Sequence, residues 1–182
     1  KLVEWALTDT SAAQLPFSQL AADQQALAGW PRAESRRTAT ELAMDRTGVG
    51  ADQTIAFFSD QAPTTVQGAI SLAEALDHNN RSQEARALIA DWWRTRSFDD
   101  GQQARILNRW SAWLTPADQE ARLNMLLLGP HGPATSAMIT LVSPERATIA
   151  NAVLALRKAY DPGAMVAGLS PNQALDPAVV LE

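Results

Sequence analysis

Apolar residues recur along this chain at helical spacing, and this pattern limits the possible folds more than any other feature. Ala85, Leu88, Ile89 and Trp92 stand at positions i, i+3, i+4 and i+7, which places them on one face of a helix. The same spacing returns within residues 149–156. No segment alternates apolar and polar residues with the β-branched content of a strand. We therefore predict an all-α chain without strands.

Proline and glycine divide the chain into short helices. Thr115-Pro116 and Ser143-Pro144 each combine an N-cap residue with proline at the first helical position, and Asp118 adds a first-turn acid. Pro63 is expected to open another helix. Short helices with short connections favour antiparallel neighbours.

The predicted arrangement is a superhelical array, an α-solenoid with degenerate repeats of the tetratricopeptide or HEAT type. The repeats are called degenerate because no strict tetratricopeptide consensus is present. We assign residues 1–169 to this domain. Residues 170–182 are rich in proline and polar side chains, which predicts an irregular tail or the start of a further helix.

Composition excludes several functional classes. A hydrophobic share of 46% over 182 residues predicts a packed core rather than disorder. The net charge of −5 gives no electrostatic reason to bind nucleic acid or an anionic membrane. No apolar stretch approaches the roughly 20 residues that span a bilayer. The chain has no cysteine, which excludes thiol catalysis and cysteine-based metal sites. We expect a monomer without a membrane span.

No motif for catalysis, cofactor binding or metal binding was found. The two histidines, His78 and His131, lie in predicted turns far apart in the sequence and lack partners at metal-binding spacing. Asp99-Asp100 is interpreted as helix capping rather than as a carboxylate pair. Gly48-Val-Gly50 lacks the strand, the later glycine and the lysine of a phosphate loop and is interpreted as a helix stop. A small enzyme with a tertiary site around one histidine is the weakest alternative.

The tryptophans are the side chains with which a helical chain could contact a sugar. Trp92, Trp110 and Trp113 fall on predicted core faces, so interhelical packing explains them. Trp93 lies off that face. Trp93 and the adjacent Arg94 are therefore the best candidates for a contact with a glycan or a protein partner.

The arginines form two groups, one around Arg32, Arg36 and Arg37 and one within residues 81–109. Acidic side chains alternate with both groups. This pattern is typical of a solvated, salt-bridged helix face.

Several stretches, taken in order, resemble one protein family. They are Lys1-Leu-Val-Glu-Trp5, Gly29-Trp-Pro-Arg32 with Arg36-Arg37, Thr54-Ile-Ala-Phe-Phe58, Leu72-Ala-Glu-Ala-Leu76, Ala85-Arg-Ala-Leu-Ile89, Trp92-Trp-Arg94 and Leu114-Thr-Pro-Ala-Asp118 with Ala121-Arg-Leu123. Their order and spacing are similar to the N-terminal helical region of periplasmic soluble lytic murein transglycosylases, up to about Leu156. The sequence departs from the family where Gly129 is followed by Pro-His-Gly-Pro.

The resemblance implies a ring- or U-shaped superhelical scaffold in the periplasm. In the family it precedes a lysozyme-like domain that cleaves the MurNAc–GlcNAc bond of peptidoglycan and forms anhydromuramic acid. The catalytic glutamate of that domain lies in a Glu-Ser motif. Glu34-Ser35 stands instead in the Trp-Pro-Arg helix without the family's second motif, so Glu34 is not assigned as catalytic. The catalytic domain is absent from this chain.

Two functions follow as expectations. The first is a non-catalytic, substrate-guiding region whose partners are its own catalytic domain and, through the parent enzyme, peptidoglycan. The alternative is a stand-alone helical-repeat adaptor that binds other proteins on a concave surface. Neither requires a catalytic, cofactor-binding or metal-binding residue in this chain.

Overall fold

A computed structural model describes residues 1–129, 132–158 and 162–182. Helices joined by turns and irregular connections make up these ranges, and no β-strand occurs in them. The prediction of an all-α fold is therefore confirmed. By their internal contacts the residues divide into two compact units, 1–89 and 90–182. The prediction that a single domain ends at residue 169 stays a prediction.

The first unit is built from helices that pack on their neighbours in the sequence. They are α1 (Leu2–Ser11), α2 (Phe17–Ala26), α3 (Ala33–Thr47), α4 (Ala51–Phe57), α5 (Val66–His78) and the beginning of α6 (Ser82–Thr95). Helix α3 packs on α2 and α5, and α4 packs on α5. The core beneath them contains Phe17, Leu20, Ala43, Met44 and Phe58.

The second unit begins with the last turns of α6 and continues through shorter helices. They are α7 (Asp100–Trp110), α8 (Pro116–Leu127), α9 (Pro133–Met138), α10 (Pro144–Arg157), α11 (Pro162–Ala167), α12 (Pro171–Ala174) and α13 (Pro177–Leu181), with single 3-10 turns at Ser111–Trp113 and Ile139–Leu141. Residues 170–182 thus contain two one-turn helices. Trp93, Ile106, Leu123, Leu127 and Met138 are among the fully buried side chains of this unit.

The predicted helix starts carry the expected caps. Asp99 accepts a hydrogen bond from the backbone of Gln102 (2.8 Å), and Gln102 accepts one from the backbone of Asp99 (3.0 Å), which is a complete capping box. Thr115 and Asp118 form the same reciprocal pair at α8, with Pro116 at the first helical position. The capping interpretation of Asp99 is therefore confirmed, and Thr115 is the N-cap that the sequence predicts.

Helix α5 starts later than predicted. Pro63 lies outside the helix, and α5 begins at Val66 because Thr65 is the N-cap, its hydroxyl accepting a hydrogen bond from the backbone of Gly68 (2.9 Å). The segment between α4 and α5 is thereby left as an irregular connection. None of the described helices is both long enough and apolar enough to cross a membrane.

Candidate functional site

Trp93, the predicted exposed contact, is fully buried. Its indole nitrogen donates a hydrogen bond to Oε1 of Gln119 (3.1 Å), and its ring packs near Phe98 at a centroid distance of 6.0 Å. Trp92 is also buried, because the end of α6 is covered on two sides rather than one. The prediction that Trp93 is exposed is therefore wrong, and its indole presents no face to a glycan.

Arg94 keeps an exposed side chain but is already paired. Its relative exposure is 46%, and its Nη1 lies 3.2 Å from Oδ1 of Asp118. The second carboxylate oxygen of Asp118 accepts hydrogen bonds from the backbone and hydroxyl of Thr115 at 2.8 and 2.7 Å. Arg94 thus fixes the start of α8 from the end of α6, and a contact with an external partner is an additional role that stays a prediction.

Arg122 is the most deeply buried cation of the second unit. It lies in the stretch Ala121-Arg-Leu123, but sequence analysis did not name it as a candidate site residue. Its guanidinium lies over the rings of Trp93 and Phe98, 4.3 and 4.2 Å from their centroids. Its Nε donates to Oε1 of Gln103 (2.8 Å), and its Nη1 donates to the carbonyls of Trp93 and Arg96, both at 3.0 Å. These carbonyls end α6, so Arg122 caps that helix.

Burial lowers the pKa of Arg122 to about 10. This value remains well above neutral pH, so the guanidinium is charged at pH 7 and its cation–π and carbonyl contacts persist there. The signal in the sequence was its position: Arg122 stands three residues after Gln119 and four before Leu126, on the buried face of α8.

Arg36 plays a similar part in the first unit. Its Nη2 donates to the carbonyls of Leu27 (3.3 Å) and Trp30 (3.1 Å), and its Nη1 donates to the carbonyl of Pro31 (2.5 Å). Nη1 also lies 3.2 Å from a carboxylate oxygen of Asp9. The guanidinium therefore holds the turn between α2 and α3 closed and ties it to α1.

Arg37 and Glu41 form a buried ion pair on α3. Nε of Arg37 lies 3.3 Å from Oε1 of Glu41, while Nη2 donates to the carbonyls of residues 61 and 62. The carboxylate of Glu41 accepts hydrogen bonds from the backbone and hydroxyl groups of Thr64 and Thr65, at 2.7–3.0 Å. The prediction of a solvated, salt-bridged face is wrong for Arg36 and Arg37, because both are buried against backbone carbonyls.

A polar groove lies beside Arg37 in the first unit. It consists of two hollows of about 610 and 290 Å³ that share Gln24, Arg37 and Gln61 in their walls. We call it the amide groove. The larger hollow is completed by Ala33, Glu34, Thr38 and Thr64, and the smaller by Ala21, Gln25, Ala56, Phe57 and Asp60. The volume of the larger hollow is within the range of about 300–1,000 Å³ that is typical of small-molecule sites.

The other sequence-derived candidates occupy separate places. His78 is exposed at the C-terminal end of α5, and His131 lies outside the described residues. Gly48 adopts a left-handed conformation (φ 67°) as the C-cap of α3, which supports its interpretation as a helix stop. Glu34 is exposed on the first turn of α3 and lines the amide groove.

Within the ranges that the structure covers, no group of three or more His, Asp and Glu side chains could hold a metal ion. The amide groove is a concave surface of the first unit whose walls carry several polar side chains. Comparison of the chain with protein-family models, characterised proteins and solved structures found no match.

Proposed function

We propose that this chain is the non-catalytic, superhelical scaffold and substrate-guiding region of a periplasmic soluble lytic murein transglycosylase, an enzyme that cleaves the MurNAc–GlcNAc bond of peptidoglycan. Its partners in this proposal are the catalytic domain of the same enzyme and, through that domain, peptidoglycan. The proposal starts from the ordered motifs of the sequence and gains support from what those motif residues do in the fold.

The observation that carries the proposal is the structural role of the motif residues. Arg36 closes the turn that contains Trp30 and Pro31. Thr115 caps α8, and Arg122 ties α8 to the last carbonyls of α6. Motif residues of a catalytic module would be expected to converge on one reactive centre. Residues that instead join successive helices are what a scaffold requires.

The packing order gives a second line of support. Helices close in the sequence contact each other, as α2 with α3, α3 with α5, α4 with α5 and α8 with α9. Nearest-neighbour packing of short helices is typical of helical-repeat arrays. It agrees with the superhelical arrangement that the resemblance implies.

An antibody raised against this chain tests the proposal in the organism that produces it. Cell fractions would be analysed by immunoblot, with a peptidoglycan zymogram run in parallel. We expect a periplasmic band much larger than 19.6 kDa that coincides with a cleared zone. A cytoplasmic band, or a band without clearing, would contradict the proposal and favour the helical-repeat adaptor.

A further inference from the structure

The amide groove is lined by side chains that both donate and accept hydrogen bonds. Gln24 and Gln61 are present in both hollows, and Gln25 adds a third amide side chain at the smaller one. Each amide can both donate and accept, with Oε1 of Gln24 already accepting a hydrogen bond from the hydroxyl of Thr40 (3.4 Å), and the carboxylates of Glu34 and Asp60 add acceptors. Between them lies Arg37, whose Nη1 donates no hydrogen bond to any described residue. The groove therefore presents both hydrogen-bond donors and hydrogen-bond acceptors.

The charges of the groove argue against an anionic ligand. The positive charge of Arg37 already faces the buried carboxylate of Glu41 at 3.3 Å. An anion entering the groove would also approach Glu34 and Asp60, one at each hollow. An uncharged ligand avoids this repulsion and can still accept a hydrogen bond from Nη1 of Arg37.

Phe57 supplies an apolar surface at one end of the groove. Its ring packs edge-on against Phe17 and Phe58, at centroid distances of 5.6 and 5.0 Å, and Arg37 lies over it at 5.2 Å. The half-buried remainder of the ring lines the smaller hollow. A sugar ring has hydroxyl groups around its edge and an apolar C–H face, so it matches amides and carboxylates beside a phenyl ring.

We propose that the amide groove binds an uncharged oligosaccharide, with Gln24, Gln61 and Nη1 of Arg37 forming hydrogen bonds to its hydroxyl and acetamido groups. This inference deepens the proposed function and rests on it for the identity of the sugar, the uncharged N-acetylglucosamine units of the glycan strand. A peptide would need deeper apolar pockets for its side chains, whereas the apolar wall consists of alanine methyl groups and Phe57.

The test is a titration of the purified chain with tetra-N-acetylchitotetraose, an uncharged oligosaccharide of N-acetylglucosamine, followed by amide chemical shifts and by calorimetry. We expect shifts confined to residues around the groove. The double variant Gln24→Ala/Gln61→Ala should weaken binding by roughly tenfold, because two side-chain hydrogen bonds are removed. Truncation of Gln61 keeps its backbone carbonyl, which accepts from Arg37.

Gln53→Ala is the matched control, since Gln53 is an exposed glutamine of the same unit that does not line the groove. Binding unchanged in the control but weakened in the double variant, with both variants melting like the parent chain, would support the inference. Absence of binding at millimolar sugar, or equal binding by all three proteins, would overturn it. Shifts at the groove with a sugar-free stem peptide, but none with the oligosaccharide, would overturn it in favour of a peptide ligand.

The outcome can be separated from that of the proposed function. Binding is measured on the isolated chain and needs no cleavage of peptidoglycan. If the native protein clears peptidoglycan but the isolated chain does not bind the oligosaccharide, only the inference about the groove is contradicted. If the isolated chain binds the oligosaccharide but the native protein has no clearing activity, the groove is supported and the transglycosylase proposal is contradicted.

Discussion

At the scale of single residues, three buried arginines determine how the helices are joined. Arg36, Arg37 and Arg122 each place a guanidinium against backbone carbonyls at a helix end or in a connection. A buried charge is tolerated only where hydrogen bonds replace its hydration. Each arginine donates several hydrogen bonds to carbonyls that have no helical partner. These hydrogen bonds replace the lost hydration of both the guanidinium and the carbonyl groups.

Replacing Arg122 should show how strongly the second unit depends on this compensation. Arg122→Met keeps much of the volume but leaves the carbonyls of Trp93 and Arg96 and the amide oxygen of Gln103 without their donor. We expect a loss of about 3 kcal/mol in the free energy of unfolding, measured by urea denaturation.

Arg81→Met is the matched control for that experiment, because Arg81 forms an exposed ion pair with Glu84. The control should denature almost like the parent chain. An Arg122→Met variant that is as stable as the control would contradict the capping role.

Gly68 is required by the position of Glu41. A Cβ atom at residue 68 would lie 2.4 Å from Oε2 of Glu41, and this carboxylate is held by Thr64 and Thr65. Gly68→Ala must therefore displace a buried, fully engaged side chain. We expect a destabilisation of about 1–3 kcal/mol, seen as a lower urea midpoint.

The comparison for this substitution is Gly50→Ala, since nothing lies within 4 Å of a Cβ at residue 50. The second substitution should change stability by less than about 1 kcal/mol. If Gly68→Ala were as mild as Gly50→Ala, the close approach between α3 and α5 would be misassigned.

At the scale of elements, side-chain caps define the starts of several helices, mostly in the second unit. Asp99, Thr115, Ser143, Ser170 and Asp176 each accept a hydrogen bond from a backbone N–H in the first turn. Such caps satisfy donors that the helix itself cannot pair. The short helices of the second unit thereby begin at fixed residues.

Removing one cap tests this view. Thr115→Ala abolishes the bond to the backbone of Asp118 (3.2 Å) and the hydroxyl contact with its carboxylate (2.7 Å). We predict a loss of about 1 kcal/mol in unfolding free energy. Thr140→Ala, an exposed threonine outside any N-cap, should have little effect. Equal stabilities of the two variants would show that the capping box contributes nothing.

Elements could be predicted from the sequence where local chemistry decides them. The Thr-Pro and Ser-Pro starts and the apolar faces around Ile89 and Leu123 depend on residues within one or two turns. Helix α5 was placed too early, because the cap at Thr65 is reinforced by Glu41, which is distant in the sequence. A local signal from Pro63 cannot report such a contact.

The site was less predictable than the helices. Pattern analysis treats arginine as a surface residue, so burial of Arg36 and Arg122 required knowledge of which carbonyls lie opposite them. Trp93 was wrongly predicted to be exposed, because more of the surface of α6 is buried where α8 packs on it. The amide groove combines side chains from α2, α3 and the connection before α5, and no single stretch of sequence contains it.

At the scale of the whole molecule, helices provide most of the buried core of each described unit, and connecting residues such as Phe58 and Leu114 complete it. The first unit is centred on Leu20 and Met44, and the second on Leu123 and Met138, each side chain almost completely buried. A framework of this kind can position a groove or a neighbouring domain without reactive groups of its own. This is the property that the proposed function uses.

Analysis of the products released from purified peptidoglycan sacculi tests the central claim most directly. The sacculi would be incubated separately with the isolated chain and with the native protein captured by an antibody to it, and soluble products identified by mass spectrometry. The account predicts anhydromuropeptides from the native protein and none from the isolated chain. No anhydromuropeptides from the native protein, or their release by the isolated chain and by its Glu34→Ala variant, would contradict it.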